Sequence, residues 1–207
     1  MRRVGTFEHP RVDLSGRVAV VTGGSGGMGL EACRALAEMG ARVILGARHD
    51  KSREAACQAI LKDHPTAAVE HAALDLADLA SVRTFADEVL ARIGDTRVHI
   101  FLQNAGLWPK KYARSAQGHE ITFATNVLGH FALTRYLMPR LGPWETAPGT
   151  QEGAPQTTRV VVVTGDIYHQ TDSCTPDFEW QGDPACVGSR PQRPTCGTPL
   201  ETVRVPD

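Results

Sequence analysis

Lysine is scarce in this 207-residue chain: four residues, Lys51, Lys62, Lys110 and Lys111, stand against 18 arginines, and none lies beyond position 111. No run approaches the ~18 apolar residues that span a bilayer. The opening MRRVGTFEHPRVDLSG begins with two arginines and has no apolar stretch behind them, so it does not read as a secretory signal. Neither sign of charge dominates: 22 basic against 23 acidic side chains leave a formal charge of −1, with no global field for nucleic acid or an anionic membrane. The five cysteines (Cys33, Cys57, Cys174, Cys186, Cys196) are scattered, odd in number and without CxxC spacing. That argues against a disulfide framework and a zinc site, and fits a reducing, cytoplasmic compartment. Membrane, secreted and nucleic-acid-binding classes are thereby disfavoured.

What is present is the composition of one globular domain, with 42% hydrophobic and 22% charged residues. Up to about residue 165, apolar β-branched runs alternate with longer stretches of helical period. Strands are expected at 17–22, 42–46, 69–74, 98–102 and 159–164. Helices are expected at 29–39, closed by Gly40, then at 52–62, at 79–92 capped by Asp78, and at about 119–141. Such alternation means βαβ units and a parallel sheet wound on both faces, an α/β fold of strand order 3-2-1-4-5. The domain is expected over 15–170, after an extension of 14 residues. Six of the 13 prolines fall in 171–207, where no period survives, so that tail is expected to be disordered. The stretch 145–158 reads as a flexible loop.

Between the first strand and first helix lies Thr22-Gly23-Gly24-Ser25-Gly26-Gly27-Met28-Gly29. Glycines here let the chain turn sharply, bring amides to a pyrophosphate and pack the helix on the sheet, while the helix N-terminus supplies partial positive charge. The alternative is a plain loop; its place inside a βαβ unit favours dinucleotide binding. NAD-binding chains usually carry Asp or Glu at the end of the second strand. This chain carries Arg48, whose guanidinium attracts a 2′-phosphate. The cofactor read from the residues is therefore NADP(H), unless Arg48 is one more surface arginine.

These residues resemble the short-chain dehydrogenase/reductase family, in particular its branch of retinol dehydrogenases and WW-domain oxidoreductases. Thr22-Gly23-x-x-x-Gly27-x-Gly29 is similar to the family's TGxxxGxG turn, in which Ser25 and Met28 also lie. Leu74-Asp75-Leu76 followed by Ser81-Val82-Arg83 resembles its LDL…SVR segment. Asn104-Ala105-Gly106, after Gln103, resembles its NAG motif, and Asn126-Val127-Leu128-Gly129-His130-Phe131 resembles the helix that carries its tetrad asparagine. The resemblance implies a Rossmann-type doubly wound sheet, Asp75 and Leu76 near an adenine, Asn104 to Gly106 along the cofactor, and Asn126 as a catalytic remnant. From the residues alone, an amide at Asn126 within an apolar helix needs partners, whereas His130 and Phe131 read as packing.

The resemblance also implies a tyrosine acid/base, a lysine four residues on that lowers its pKa, and a serine on the substrate oxygen. None can be placed. The tyrosines are Tyr112, Tyr136 and Tyr168, and Tyr168 has Asp172, not lysine, four residues on. A phenol near pKa ~10 is a poor base unless a cation favours phenolate. The serine position falls on Gly165 or Asp166, leaving Thr164 as the nearest hydroxyl.

The expectation is an NADP(H)-dependent oxidoreductase for a carbonyl/alcohol pair, retinoid-like or lipid-like by the branch resemblance. The chain would be a truncated isoform with an incomplete sheet of about five strands, little turnover and an exposed edge through which it could associate. The alternatives are a non-catalytic nucleotide binder and a scaffold protein.

Overall fold

The computed structural model describes residues 12–109, 111–142 and 158–165. Five parallel strands, β1 (Val18–Thr22), β2 (Arg42–Ala47), β3 (Val69–Ala73), β4 (Ile100–Gln103) and β5 (Arg159–Val162), form one sheet in the order β3-β2-β1-β4-β5. The register runs Val20 to Ile44, Val20 to Phe101, Leu45 to His71 and Phe101 to Val160. The expected doubly wound architecture and strand order are both present. The tail 171–207, most of the loop 145–158, and Asp166, Tyr168 and Asp172 lie outside the described residues.

The sheet is buried on both faces because side chains alternate along each strand. Val18 and Val20 of β1 point to one face with Ile44, Phe85, Phe101, Leu133 and Leu137. Ala19 and Val21 point to the other with Cys33, Val43, Leu45 and Ile60. Helices α1 (Gly27–Glu38) and α2 (Asp50–Asp63) cover that second face, and α3 (Leu79–Ile93) with the later helices covers the first. Asp78 caps α3 by accepting from the Ala80 amide at 3.0 Å, as its position predicts. Gly40, with φ +89°, follows α1 and closes it.

The expected single helix over 119–141 is instead composite. A short α4 (Ile121–Phe123) runs into a π-helical turn at Ala124–Leu128, then α5 (Gly129–Leu137) and a 3-10 turn at Met138–Arg140. Glu120 caps its start, accepting from the Thr122 and Phe123 amides at 2.9 and 2.7 Å. Helical spacing of apolar residues does not distinguish a π turn from an α turn, so the sequence carried no sign of it.

β5 differs from the other strands. Val160, Val161, Val162 and Val163 are each at least 41% exposed, so the strand pairs with β4 yet both its faces stay open among the described residues. No described helix is long and apolar enough to cross a membrane.

Phe85 is fully buried against Gly46 and the β2–α3 face. Phe85→Ala is expected to destabilise the fold by about 3–5 kcal/mol, read as a lower urea midpoint with an unchanged slope.

Candidate functional site

Parallel strands of this order diverge between β1 and β4, and a crevice opens there beyond their C-terminal ends. The structure places a cleft of about 350 Å³ at that point. One wall is the turn after β1, with Gly23, Ser25, Gly26 and Met28. A second is the end of β2, with Arg48 and His49. Asp75 and Leu76 follow β3, and Asn104, Ala105 and Gly106 follow β4. Four separated motifs of the sequence thus line one space. Gly24, Gly27 and Gly29 do not line it.

Gly29 acts by packing. A Cβ there would sit 2.3 Å from the Gly23 carbonyl oxygen and 2.5 Å from Asn104 Nδ2, so α1 crosses the strand ends at a distance only glycine permits. Gly129 is constrained in the same way: its Cβ would lie 2.2 Å from the Leu76 carbonyl oxygen. The start of α5 therefore abuts the segment after β3. Gly26 and Gly27 have nothing within 4 Å of an added Cβ, which leaves the outer face of the turn open.

Thr22, fully buried at the end of β1, is the hub of the site. Its Oγ1 accepts from the Asn104 and Ala105 amides, each at 3.0 Å, and lies 2.9 Å from His130 Nε2. With both lone pairs occupied, the hydroxyl hydrogen is left for His130, so Nε2 is the acceptor and the proton resides on Nδ1. Nδ1 then donates to the Asn126 carbonyl at 3.2 Å, inside the π turn. Asn104 Nδ2 adds a bond to the Thr22 carbonyl at 3.1 Å. His130 was expected to serve packing; it is buried, but as a polar link between β1 and the π turn. The signal available in the sequence was its spacing, four residues after Asn126, and a polar ring among apolar neighbours. Phe131, expected to pack, is 67% exposed.

Asn126 is exposed rather than buried. Its amide is satisfied reciprocally by Leu107, donating to the Leu107 carbonyl at 3.0 Å and accepting from its amide at 2.9 Å. This clip holds the segment after Asn104-Ala105-Gly106 to the π turn. Thr164 is exposed just past β5, and neither it nor Asn126 lines the cleft, whereas Thr125 does. Arg53, not singled out in the sequence, is buried beneath the β2 wall.

A family model described as short chain dehydrogenase matches residues 17–150, and the chain belongs to that family. Retinol dehydrogenase 12 of Bos taurus is 41% identical over 158 residues, covering 76% of this chain and 46% of its own. The short-chain dehydrogenase/reductase drtF of Aspergillus calidoustus is 38% identical over 166 residues, covering 80% and 51%. Among solved structures, the NADPH-bound short chain oxidoreductase from Pseudomonas aeruginosa PAO1, with an atypical catalytic center, superposes with a TM-score of 0.52. It is 29% identical and covers 62% of this chain and 50% of that one. The chain spans about half the length of the curated relatives it matches.

Burial lowers the pKa of His130 from its ordinary value, against a smaller opposing effect of the Asn126 carbonyl. Burial also lowers that of His99, helped by Arg17. Both groups are held neutral in the fold while the unfolded chain binds protons near pH ~6.5. Their contribution to stability is complete above that range and is lost as pH falls through the depressed native values. The unfolding temperature is expected to fall between pH 7.5 and 5. His130→Gln, which keeps an acceptor for Thr22 and does not titrate, is expected to flatten that slope.

Proposed function

We propose that this chain binds NADP(H) and serves the interconversion of a carbonyl and an alcohol. The observation that carries the reading is the cleft itself, in which an exposed Arg48 stands at the end of β2 where an NAD-binding chain would carry an acid. The open face at Gly26 and Gly27 fits a pyrophosphate, since backbone amides there can approach it with no side chain between. Gly23, Gly24, Ser25, Gly27, Met28 and Gly29 would form that turn, and Arg48 would take the 2′-phosphate. Asp75 and Leu76 would flank the adenine, and Asn104, Ala105 and Gly106 would run beside the remainder of the dinucleotide. The nicotinamide, when bound, supplies the hydride acceptor or donor.

Asn126 and Thr164 are the residues of this chain we assign to the substrate end, Asn126 through the helix it shares with His130 and Thr164 through its hydroxyl. The 207 residues hold no Tyr-x-x-x-Lys. We therefore propose that this chain alone turns over weakly or not at all while still binding nucleotide. The substrate class is a lipid-like or retinoid-like alcohol or aldehyde, supported by the likeness to bovine retinol dehydrogenase 12. The free thiols of Cys33 and Cys57 support a reducing, cytoplasmic setting.

Thermal unfolding tests the reading. NADPH at 100 times its dissociation constant stabilises a fold by about 2.7 kcal/mol, an upward shift of about 5–10 °C for a domain of this size. NADH at the same concentration is expected to shift it less. Gly26→Val should leave the ligand-free transition in place, because an added Cβ meets nothing and the backbone there is extended, yet abolish the NADPH shift. Equal shifts with both dinucleotides would overturn the NADP(H) preference, and no shift with either would overturn nucleotide binding.

A further inference from the structure

The β2 wall is built on a buried cation. Arg53, on the first turns of α2, is 5% exposed. Its Nη1 donates to the Ala47 carbonyl at 2.8 Å and to the Arg48 carbonyl at 2.7 Å, and its Nη2 is ion-paired with the Asp50 carboxylate. Its Nε is buried with no partner among the described residues. Burying a guanidinium is unfavourable unless its charge and donors are matched, so a buried arginine beneath an exposed loop calls for a reason.

The reason lies in what the loop carries. Arg48 and His49 line the cleft, and Asp50 follows them with its side chain 89% exposed. A carboxylate two residues from Arg48 would oppose a 2′-phosphate and would suit ribose hydroxyls instead. Asp50 is absent from the cleft lining, and its ion pair among the described residues is with Arg53. Both carbonyls flanking the Arg48 position are turned to Arg53, so one side chain fixes the backbone that presents Arg48 and neutralises the neighbouring acid.

We propose that Arg53 is a positioning residue for dinucleotide selection: by tying down the Ala47 and Arg48 carbonyls and neutralising Asp50, it leaves the rim of the β2 wall cationic for a phosphate on the ribose. The proposal rests on the NADP(H) reading and extends it to a residue that does not touch the cleft.

Fluorescence titration of the full chain with NADPH and with NADH, at fixed ionic strength, tests it. Arg53→Met is expected to weaken NADPH about 5- to 10-fold, as one unmatched negative charge near the phosphate would, and to change NADH affinity less than about 2-fold. Adding Asp50→Asn to Arg53→Met is expected to restore most of the NADPH affinity, because it removes the exposed charge. Equal loss of both dinucleotides, or no recovery in the double variant, would make Arg53 a prop of the fold and overturn the proposal. Should Arg53→Met fail to fold, Asp50→Asn alone decides. Because Arg53 already neutralises Asp50, the surface change should move the ratio of NADPH to NADH affinity less than about 2-fold, and a rise of about 5-fold or more, the mark of an unmatched charge, overturns the proposal. Failure of the NADP(H) reading is seen separately, as a wild-type ratio at or below one; the direction in which the variants move the ratio still reports on Arg53. A wild-type chain that binds neither dinucleotide overturns both.

Discussion

The structure depends on one buried hydroxyl. Thr22 ends the central strand, and its oxygen satisfies two backbone amides after β4 while its hydrogen goes to His130. An unmade hydrogen bond in that setting would leave a buried amide or ring nitrogen without a partner, at about 1–3 kcal/mol each. The hydroxyl therefore locks three chain segments together: the turn after β1, the segment after β4, and the π turn that reaches it through the imidazole. Every wall of the cleft other than the β2 and β3 ends is anchored at this point.

Around that anchor, close approach does the remaining work. Gly29 brings α1 against the Gly23 carbonyl, and Gly129 brings α5 against the Leu76 carbonyl. Helices on opposite faces of the sheet are thereby drawn toward the same strand ends. The outer face of the glycine turn stays clear because Gly26 and Gly27 place nothing there. The β2 wall is built differently, on a buried guanidinium beneath an exposed loop, so its electrostatic character depends on charges that balance rather than on shape. Shape thus governs the glycine turn and charge governs the opposite end.

β5 is the contrast that clarifies the rest. Its composition, an arginine followed by valines, is as strand-forming as that of β1, and it pairs in register with β4. Yet β1 is fully buried and β5 is exposed throughout. Burial of a strand is a property of the layers packed on it, and the helices described here cover the β1 region of the sheet rather than β5.

What the sequence alone determined was everything written in local period and spacing. The strand and helix order, the cap at Asp78, the turn from Thr22 to Gly29, and the three motifs around Asp75, Asn104 and Asn126 were all legible, because each is a pattern within a dozen residues. What only the tertiary structure decided were the long-range contacts. His130 reads as packing until Thr22, 108 positions away, is placed 2.9 Å from it. Asn126 reads as a buried amide until Leu107 is folded back on it at the surface. Arg53 reads as one arginine among 18 until it turns beneath β2. Hydrogen-bond partners and desolvation belong to the space around a side chain, and sequence neighbours do not define that space.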